Sequence, residues 1–414
     1  MDSAPAGRPI RVAMLNRYDR QGGAAIAGFR LAEALRQSGA DVRLYVRGKS
    51  VSDDFVRDVG GFSEKLDLLL EKAVVRLHDR KRGWNFGFGL MSRGVNFSLE
   101  PADVVHVHWP HHGLLSLSGL RRLPGPVVWT LHDMWALTGG CHYAGACAKY
   151  LVRCDACPQL RSRAGDLAAR QWENKRRLYA DKRMMFVTCS RWLAGEARRS
   201  ALLAEAEVRA VPNAIDAEVF CPGDRAAARK KFGLPPEAFV VLFASARTDD
   251  PRKGFEFLRR AAQGQNYIIA LMGESKSAPP EGTVALGRVS GDASLAEAYR
   301  AADVLVAPSL EDHLPNTVRE AAACGVPAVG FNVGGVPELI DDGKSGFVVT
   351  PGSVEDIADA IKRLADPELR RRFAENARKK TLEEFAYPVV AEKYLDVYRQ
   401  AAENCSSAST RRPR

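Results

Sequence analysis

The sequence contains no apolar run near the ~18 residues that a membrane-spanning helix requires, so nothing in it reads as a transmembrane segment. Its first ten residues hold aspartate, proline and glycine where a secretory leader needs an apolar segment. The expectation is therefore a cytoplasmic protein. Short repeats are absent, and the only compositionally biased stretch is the tail over residues 405–414. No G-x-G-x-x-G follows the first strand signal, which removes a nicotinamide-binding reading. Positive charge is in excess, 60 Lys and Arg against 50 Asp and Glu, for a net +10. The basic residues are scattered and carry no aromatic stacking motif, so nucleic acid is not an expected partner.

What is present is the composition of a soluble globular protein, 46% hydrophobic and 27% charged over 414 residues. That length suits two or three domains with a large core. A short apolar run over residues 10–15 is followed by a polar, glycine-bearing loop and then by Ala27, Leu31, Ala34 and Leu35 at helical spacing. Residues 42–46 form the next strand. Such strand–loop–helix–strand units build parallel sheets. Further strands are expected at 104–107, 127–130, 186–189 and 208–211. A second series begins at 239–244 and continues at 267–272, 284–286, 304–307 and 328–331. The chain thus reads as α/β, two halves of similar size joined near residue 220, with ligands expected beyond the carboxyl ends of the strands.

Three stretches of the second half carry chemistry. Arg247 closes a strand and Lys253 opens the next helix, a cation pair suited to a diphosphate leaving group. After the strand at 304–307 come Asp312 in a loop, then Leu314, Asn316 and Thr317 at a helix start, then Glu320 one turn on. A helix amino end is an anion site, and two carboxylates there can grip vicinal hydroxyls. Equally, Asp312 and Glu320 could serve only to cap and charge-match that helix. Gly325-Val326-Pro327 and Gly334-Gly335-Val336-Pro337-Glu338 complete the set, with Gly334-Gly335 allowing close backbone approach.

The combined spacing, Arg247-x5-Lys253, Asp312-x7-Glu320, Gly-Val-Pro and Gly-Gly-x-x-Glu, resembles family 4 of the retaining glycosyltransferases over about residues 10–400. Pro212-Asn213-Ala214-Ile215-Asp216 with Phe220 and Pro222 is similar to that family's interdomain link. The resemblance implies the GT-B fold, two Rossmann-like domains facing each other across a cleft. It divides the chain into an acceptor-side domain (1–218), a nucleotide-sugar domain (219–385), a helix packing back toward the first domain (386–404) and a disordered tail (405–414). It also implies that Arg247 and Lys253 bind the donor diphosphate, Glu320 the ribose and Asp312 the transferred sugar. Leu314, Asn316 and Thr317 would supply backbone amides, and Val289 would lie beside the base. The family pattern has glutamate where this chain has Asp312. The string Glu-Asp-His-Leu-Pro-Asn-Thr at 311–317 is similar to a branch from capsule and exopolysaccharide assembly.

In the first half, Gly22 and Gly23 open a helix after the first strand, where backbone can approach a phosphate; the resemblance places them opposite the donor diphosphate. His132 follows a strand end and by resemblance lines the reaction centre, with Asp133 beside it. His106 and His108, at another strand end, read as structural or as supports behind the reaction centre. Cys141, Cys147, Cys154 and Cys157 form C-x5-C-x6-C-x2-C around His142. They would close a structural zinc site, or stand as free thiols, with disulfides the third alternative. The amphipathic stretch at 66–77 and the basic, aromatic stretch at 80–97 read either as a helix and loop covering their own domain or as a platform for a lipid-linked acceptor at an anionic membrane face.

The activity implied is hexosyl transfer from a nucleoside-diphosphate sugar to a saccharide or lipid-linked hydroxyl, with retention, in cell-surface polysaccharide or glycolipid assembly. Two cationic side chains facing the phosphates make a metal cofactor unnecessary for the transfer. The rivals are a sugar-nucleotide 2-epimerase, a phosphorylase on the same fold, or an inactive assembly partner.

Overall fold

The computed structural model of the chain describes residues 8–59, 69–70, 72–74, 76–77, 85, 99–160, 165–276 and 278–409. It contains two compact units, one formed by Met1–Ala214 with Val390–Arg414 and the other by Ile215–Val389.

The first unit is built on β1 (Arg11–Leu15), β2 (Asp41–Val46), β3 (Val56–Asp58), β4 (Val104–Val107), β5 (Val127–Leu131), β6 (Met185–Thr188) and β7 (Val208–Ala210). They lie in the order β3-β2-β1-β4-β5-β6-β7, every pairing parallel. All residues of β4, β5 and β6 are buried, as expected of a parallel sheet covered on both faces. The covering helices include α1 (Gly23–Gln37), α2 (Leu117–Arg121), α3 (Gly165–Asp181) and α4 (Arg191–Arg199).

The second unit repeats the plan. Its strands are β8 (Val240–Arg247), β9 (Ile268–Glu274), β10 (Thr283–Gly287), β11 (Val304–Ala307), β12 (Ala328–Phe331) and β13 (Gly346–Val349). Their order is β10-β9-β8-β11-β12-β13, again parallel throughout. Helices α5 (Arg225–Lys231), α6 (Phe255–Ala261), α7 (Asp292–Arg300), α8 (Asn316–Ala323), α9 (Val336–Leu339), α10 (Val354–Leu364) and α11 (Pro367–Glu384) complete it. Helix α10 illustrates why these segments are helical. The Ser353 hydroxyl accepts from the Asp356 amide, Glu355 and Asp356 lie at the amino end, and Lys362 and Arg363 at the carboxyl end. Ile357, Ile361 and Leu364, spaced four and three apart, enter the core formed by Val241, Phe243, Val306, Val329 and Phe331.

Both sheets are therefore Rossmann-like, with the strand order reversing between β1 and β4 and again between β8 and β11. Those reversals are the switch points beyond which such folds bind ligands. The two strands not expected from the sequence, β3 and β13, are both sheet edges. The last helix, α12 (Tyr387–Ser409), carries regular structure through residues 405–409, where the sequence suggested a disordered tail. Its residues Val390, Ala391, Tyr394, Val397 and Tyr398 are buried. Tyr394 and Tyr398 reach Thr130 (3.0 Å) and His106 (2.8 Å) in the first sheet.

Asp303, one residue before β11, is 5% exposed and anchors the second unit. It accepts from the Val240 amide at 2.7 Å, from Arg229 at 2.6 Å and from Arg225 at 2.7 Å. Replacing it with alanine strands a buried guanidinium, since Arg229 is 3% exposed. The expected loss is about 3–5 kcal/mol in guanidinium unfolding; a loss below about 1 kcal/mol would contradict this account.

Candidate active site

Beside the switch point of the second sheet, the carboxyl ends of β8 and β9 pack closely. Gly273 has φ 140°, and a Cβ there would lie 1.8 Å from the Ser245 carbonyl oxygen, so only glycine permits the approach. Arg247 ends β8 half-exposed and is held by Asp249 in a two-point contact, Nε to Oδ1 at 3.0 Å and Nη2 to Oδ2 at 2.8 Å. The next turn, Pro251–Lys253, is capped by Asp250, which accepts from the Arg252 amide at 3.0 Å. It is fastened to the loop after β11 by the Leu310 amide donating to the Arg252 carbonyl and by Arg252 Nη1 donating to the Glu311 carbonyl, both at 2.8 Å.

That fastening brings Lys253 to Asp312, Nζ to Oδ2 at 2.6 Å. Burial by itself would raise the Asp312 pKa. The Lys253 ammonium outweighs it through charge and hydrogen bond, with Arg252 and His313 adding to the effect, and the carboxyl sits below its ordinary value. The glycine pair forms the third wall. Gly334 has φ 52°, and a Cβ there would fall 1.7 Å from the Asp312 carbonyl oxygen; the Gly335 amide donates to that same oxygen at 3.3 Å. Helix α8 starts shortly after Asp312, at Asn316, whose Oδ1 accepts from Arg319 at 2.7 Å, with Leu314 buried and Thr317 half-buried.

Glu320 is 4% exposed. Its Oε2 accepts from the Tyr299 hydroxyl of α7 at 2.6 Å. The expected cation pair is thus two separate ion pairs, Arg247 with Asp249 and Lys253 with Asp312, and Glu320 belongs to a third, buried contact. Beyond the ends of β8, β9 and β10 lies a cavity of about 440 Å³ lined by Thr248, Asp249, Glu274, Gly287 and Arg288. Val289, half-buried, follows directly on this lining.

In the first unit, Gly22 (φ 96°) precedes α1 and Gly23 begins it. Gly28 lets α1 close on the switch point: a Cβ there would come within 2.7 Å of Asn16 Nδ2 and 3.3 Å of His108 Cγ. His132, at the end of β5, shares a 3.0 Å hydrogen bond with His108, the rings stacked 5.3 Å apart. His108 is therefore a direct partner of His132. Desolvation drives His106 down to about 3 and His108 well below its ordinary value, so both stay neutral. Asp133 accepts from Trp109 Nε1 (3.2 Å), the Trp135 amide (2.8 Å) and His142 Nδ1 (2.7 Å), while His142 Nε2 meets Asn85 at 3.0 Å. His142, Trp109 and Tyr299 are contacts that sequence reasoning did not assign. His142 lies inside the cysteine motif, but its contact with Asp133, like those of Trp109 and Tyr299, is found only once the fold brings each residue to its partner.

All eight cysteines are free thiols. Cys141 and Cys154 are buried, Cys147 and Cys157 half-buried. As the side chains stand, no three His, Cys, Asp or Glu among the described residues are arranged to hold a metal ion. Of the amphipathic stretch at 66–77, Leu69 and Leu77 are each 63% exposed, while Val74 packs against the cluster of Cys141, Leu160 and Ala168. Trp84, Phe86 and Phe88 lie outside the described residues. Among the described residues no helix is long and apolar enough to cross a membrane.

Two Rossmann-like domains of parallel strands in one chain make the GT-B fold. The chain belongs to the group 1, family 4 glycosyltransferases: residues 21–219 match the model "Glycosyltransferase Family 4" and residues 224–380 the model "Glycosyl transferases group 1". It is 33% identical over 219 residues to the D-inositol 3-phosphate glycosyltransferase of Saccharomonospora viridis, covering 47% of this chain and 50% of that protein. It is 30% identical over 295 residues to the enzyme of the same name from Mycolicibacterium smegmatis, covering 66% and 63%. The match thus spans about half the length of the first of these relatives. Among solved structures, sucrose-phosphate synthase from Thermosynechococcus elongatus superposes with TM-score 0.66 at 20% identity, covering 95% of this chain and all of that one. Anabaena HepE in complex with UDP and glucose gives 0.64 at 18% identity, covering 94% and 99%. At these identities the structures establish the fold.

Replacing Lys253 with methionine leaves the Asp312 carboxylate buried without its partner. The second unit is expected to lose about 2–3 kcal/mol at pH 7, less than the ~3–5 of a fully enclosed pair, because the Lys253 side chain keeps 22% exposure. In the native chain the pair's contribution is complete above the ordinary carboxylate value of 3.8 and is lost as pH falls through the lower folded value. The variant should lack that acid-side loss. Urea unfolding between pH 7 and pH 3 checks both; native stability in the variant at pH 7 refutes the assignment.

Proposed function

We propose that the chain transfers a hexosyl group, with retention of anomeric configuration, from a nucleoside-diphosphate sugar to a saccharide or lipid-linked hydroxyl in cell-surface polysaccharide or glycolipid assembly. The observation that carries the reading is the Lys253–Asp312 pair, which spans the β8 and β11 ends at the switch point with the amino end of α8 beside it. In the reaction, Lys253 and Arg247 turn from Asp312 and Asp249 to the donor diphosphate, and the α8 amides at Asn316 and Thr317 add the dipole of the helix. Charge building on the leaving phosphate is met by fixed cations, the largest single contribution available to such a site. Asp312, released from Lys253, accepts from sugar hydroxyls. Glu320, kept in place by Tyr299, receives the ribose, and Val289 lies beside the base.

On the acceptor side, Gly22 and Gly23 approach the diphosphate and His132 contacts the transferred sugar or the acceptor. No side chain is cast as a covalent nucleophile; the leaving phosphate takes the acceptor proton. The exposed Leu69 and Leu77, on a stretch carrying Lys72 and Arg76, support work at the inner face of the cell membrane. Inositol phosphates enter the acceptor panel because the curated relatives are named for one.

The test is a panel of nucleotide sugars screened by thermal shift, followed by product analysis with the stabilising donor. Transfer with a retained anomeric centre is expected. Conversion without acceptor indicates an epimerase, dependence on free phosphate a phosphorylase, and no binding at all an inactive partner. In the active protein, Arg247→Ala should lower kcat about 10²–10³-fold while leaving unfolding unchanged, as the side chain is half-exposed. The transfer rate should not depend on added Mg²⁺ or Mn²⁺; a requirement for either contradicts the two-cation mechanism.

A further inference from the structure

The segment from Thr138 to Gln159 has little regular structure of its own. It holds one three-residue 3₁₀ turn, Lys149–Leu151, and is otherwise loop. Yet it is ordered against the domain by a small set of contacts. Thr138 Oγ1 donates to the Cys141 carbonyl at 2.9 Å, the Ala201 amide to the Tyr150 carbonyl at 3.2 Å, and Gln159 to the Tyr143 carbonyl at 2.7 Å. In its middle lies a cavity of about 20 Å³, room for one water-sized body. Cys141, Cys147, Cys154 and Cys157 all line it. Residues spread over seventeen positions of sequence thus bring every thiol of the C-x5-C-x6-C-x2-C motif to one void of atomic size.

Two further observations point to an occupant. Ala156, inside the Cys154-x-x-Cys157 turn, has φ 34°, a left-handed conformation that a residue bearing a Cβ adopts at a cost. Both cysteines that flank the turn line the cavity, and Lys149 Nζ holds the turn by donating to the Asp155 carbonyl at 3.1 Å and the Ala156 carbonyl at 3.4 Å. Beneath the cluster, Lys175 is fully buried. Its ammonium donates to the carbonyls of Trp135 and Thr138 and lies 3.3 Å from the centre of the Trp135 ring. These direct partners are neutral; the Asp133 carboxylate acts on Lys175 through charge alone, as do Cys141 and Cys154, and a buried cation is costly without an anion in closer contact.

We propose that Cys141, Cys147, Cys154 and Cys157 bind one structural zinc ion as a closed tetrathiolate centre. Four thiols lose their protons to solvent as Zn²⁺ binds, and the centre carries a net charge of −2 that complements Lys175. The four cysteines line the cavity without yet meeting at one point, so their side chains must turn inward as the ion binds. Four thiolates fill the tetrahedral shell of zinc, leaving no position for water or substrate, so the ion staples the loop and takes no part in transfer. Its consequence for the first unit is positional. Cys141 is the neighbour of His142, and His142 meets Asp133 at 2.7 Å, so the ion holds that imidazole against the carboxylate beside His132.

The full-length chain, purified without chelators or a histidine tag, is expected to contain one zinc per chain by plasma mass spectrometry. A mercurial that titrates thiolates should release that zinc to a chromogenic dye. Cys154→Ser and Cys157→Ser should each reduce zinc content at least tenfold, and Cys189→Ser, outside the cluster, should retain it. Cobalt in place of zinc should give the intense thiolate charge-transfer absorption of a four-sulfur site. If the serine variants do not fold, the native chain decides alone. No metal with eight thiols titrating after denaturation overturns the proposal, and so do fewer than eight thiols without metal, which would mean disulfides. The zinc measurement is independent of donor or acceptor identity.

Discussion

At the switch point of the second domain two loops meet through one largely enclosed ion pair, Lys253 with Asp312. The pair joins the loop after β8 to the loop after β11, and each loop reaches it only because a glycine gives way. Gly254, with φ 74°, lets the first turn sit where a Cβ would be 1.9 Å from the Pro308 carbonyl oxygen. Gly334 does the same for the loop that closes over Asp312. Remove either and the backbone must retreat, taking Lys253 or Asp312 with it. The positions of the functional side chains are therefore set by backbone packing between loops, which is stiffer than any side-chain contact they make.

The same pairing shapes how the site behaves before it is filled. Each cation at the switch point is already satisfied by a carboxylate, Arg247 by Asp249 and Lys253 by Asp312. An incoming anion has to displace those partners, so a simple phosphate gains little, whereas a ligand that offers both a diphosphate for the cations and hydroxyls for the freed carboxylates exchanges one full set of bonds for another. Selectivity for a sugar nucleotide over its fragments follows from that exchange within the proposed mechanism.

Much of the fold was readable from the chain because parallel strands buried on both faces are continuous apolar runs. Residues 104–107, 127–130, 304–307 and 328–331 announce themselves that way. The strands that escaped, β3 and β13, are edges with mixed burial, where neighbours decide and local pattern does not. At the site, Arg247, Lys253, Asp312 and Glu320 were visible as motif positions, but their pairing was not. Spacing along the chain cannot tell that Arg247 would turn to Asp249, two residues on, or that Glu320 would take a tyrosine from the preceding helix. The link between His108 and His132 was equally hidden, since it depends on the lateral pairing of β4 with β5.

Helix α12 leaves the second unit and supplies buried residues to the first, placing Tyr398 on His106 and Tyr394 on Thr130. Those two hydroxyls complete the polar interior of a sheet whose strands are all synthesised before the second unit, Ile215–Val389. On the ribosome, at roughly 5–20 residues per second, the first sheet waits on the order of ten seconds or more for its last helix. Until then His106 and Thr130 lack the two tyrosine hydroxyls that they meet in the complete fold. The amino-terminal half is consequently the later of the two to mature, although it is the first to emerge, and a chain stalled within the second unit would present an unfinished surface to chaperones and proteases.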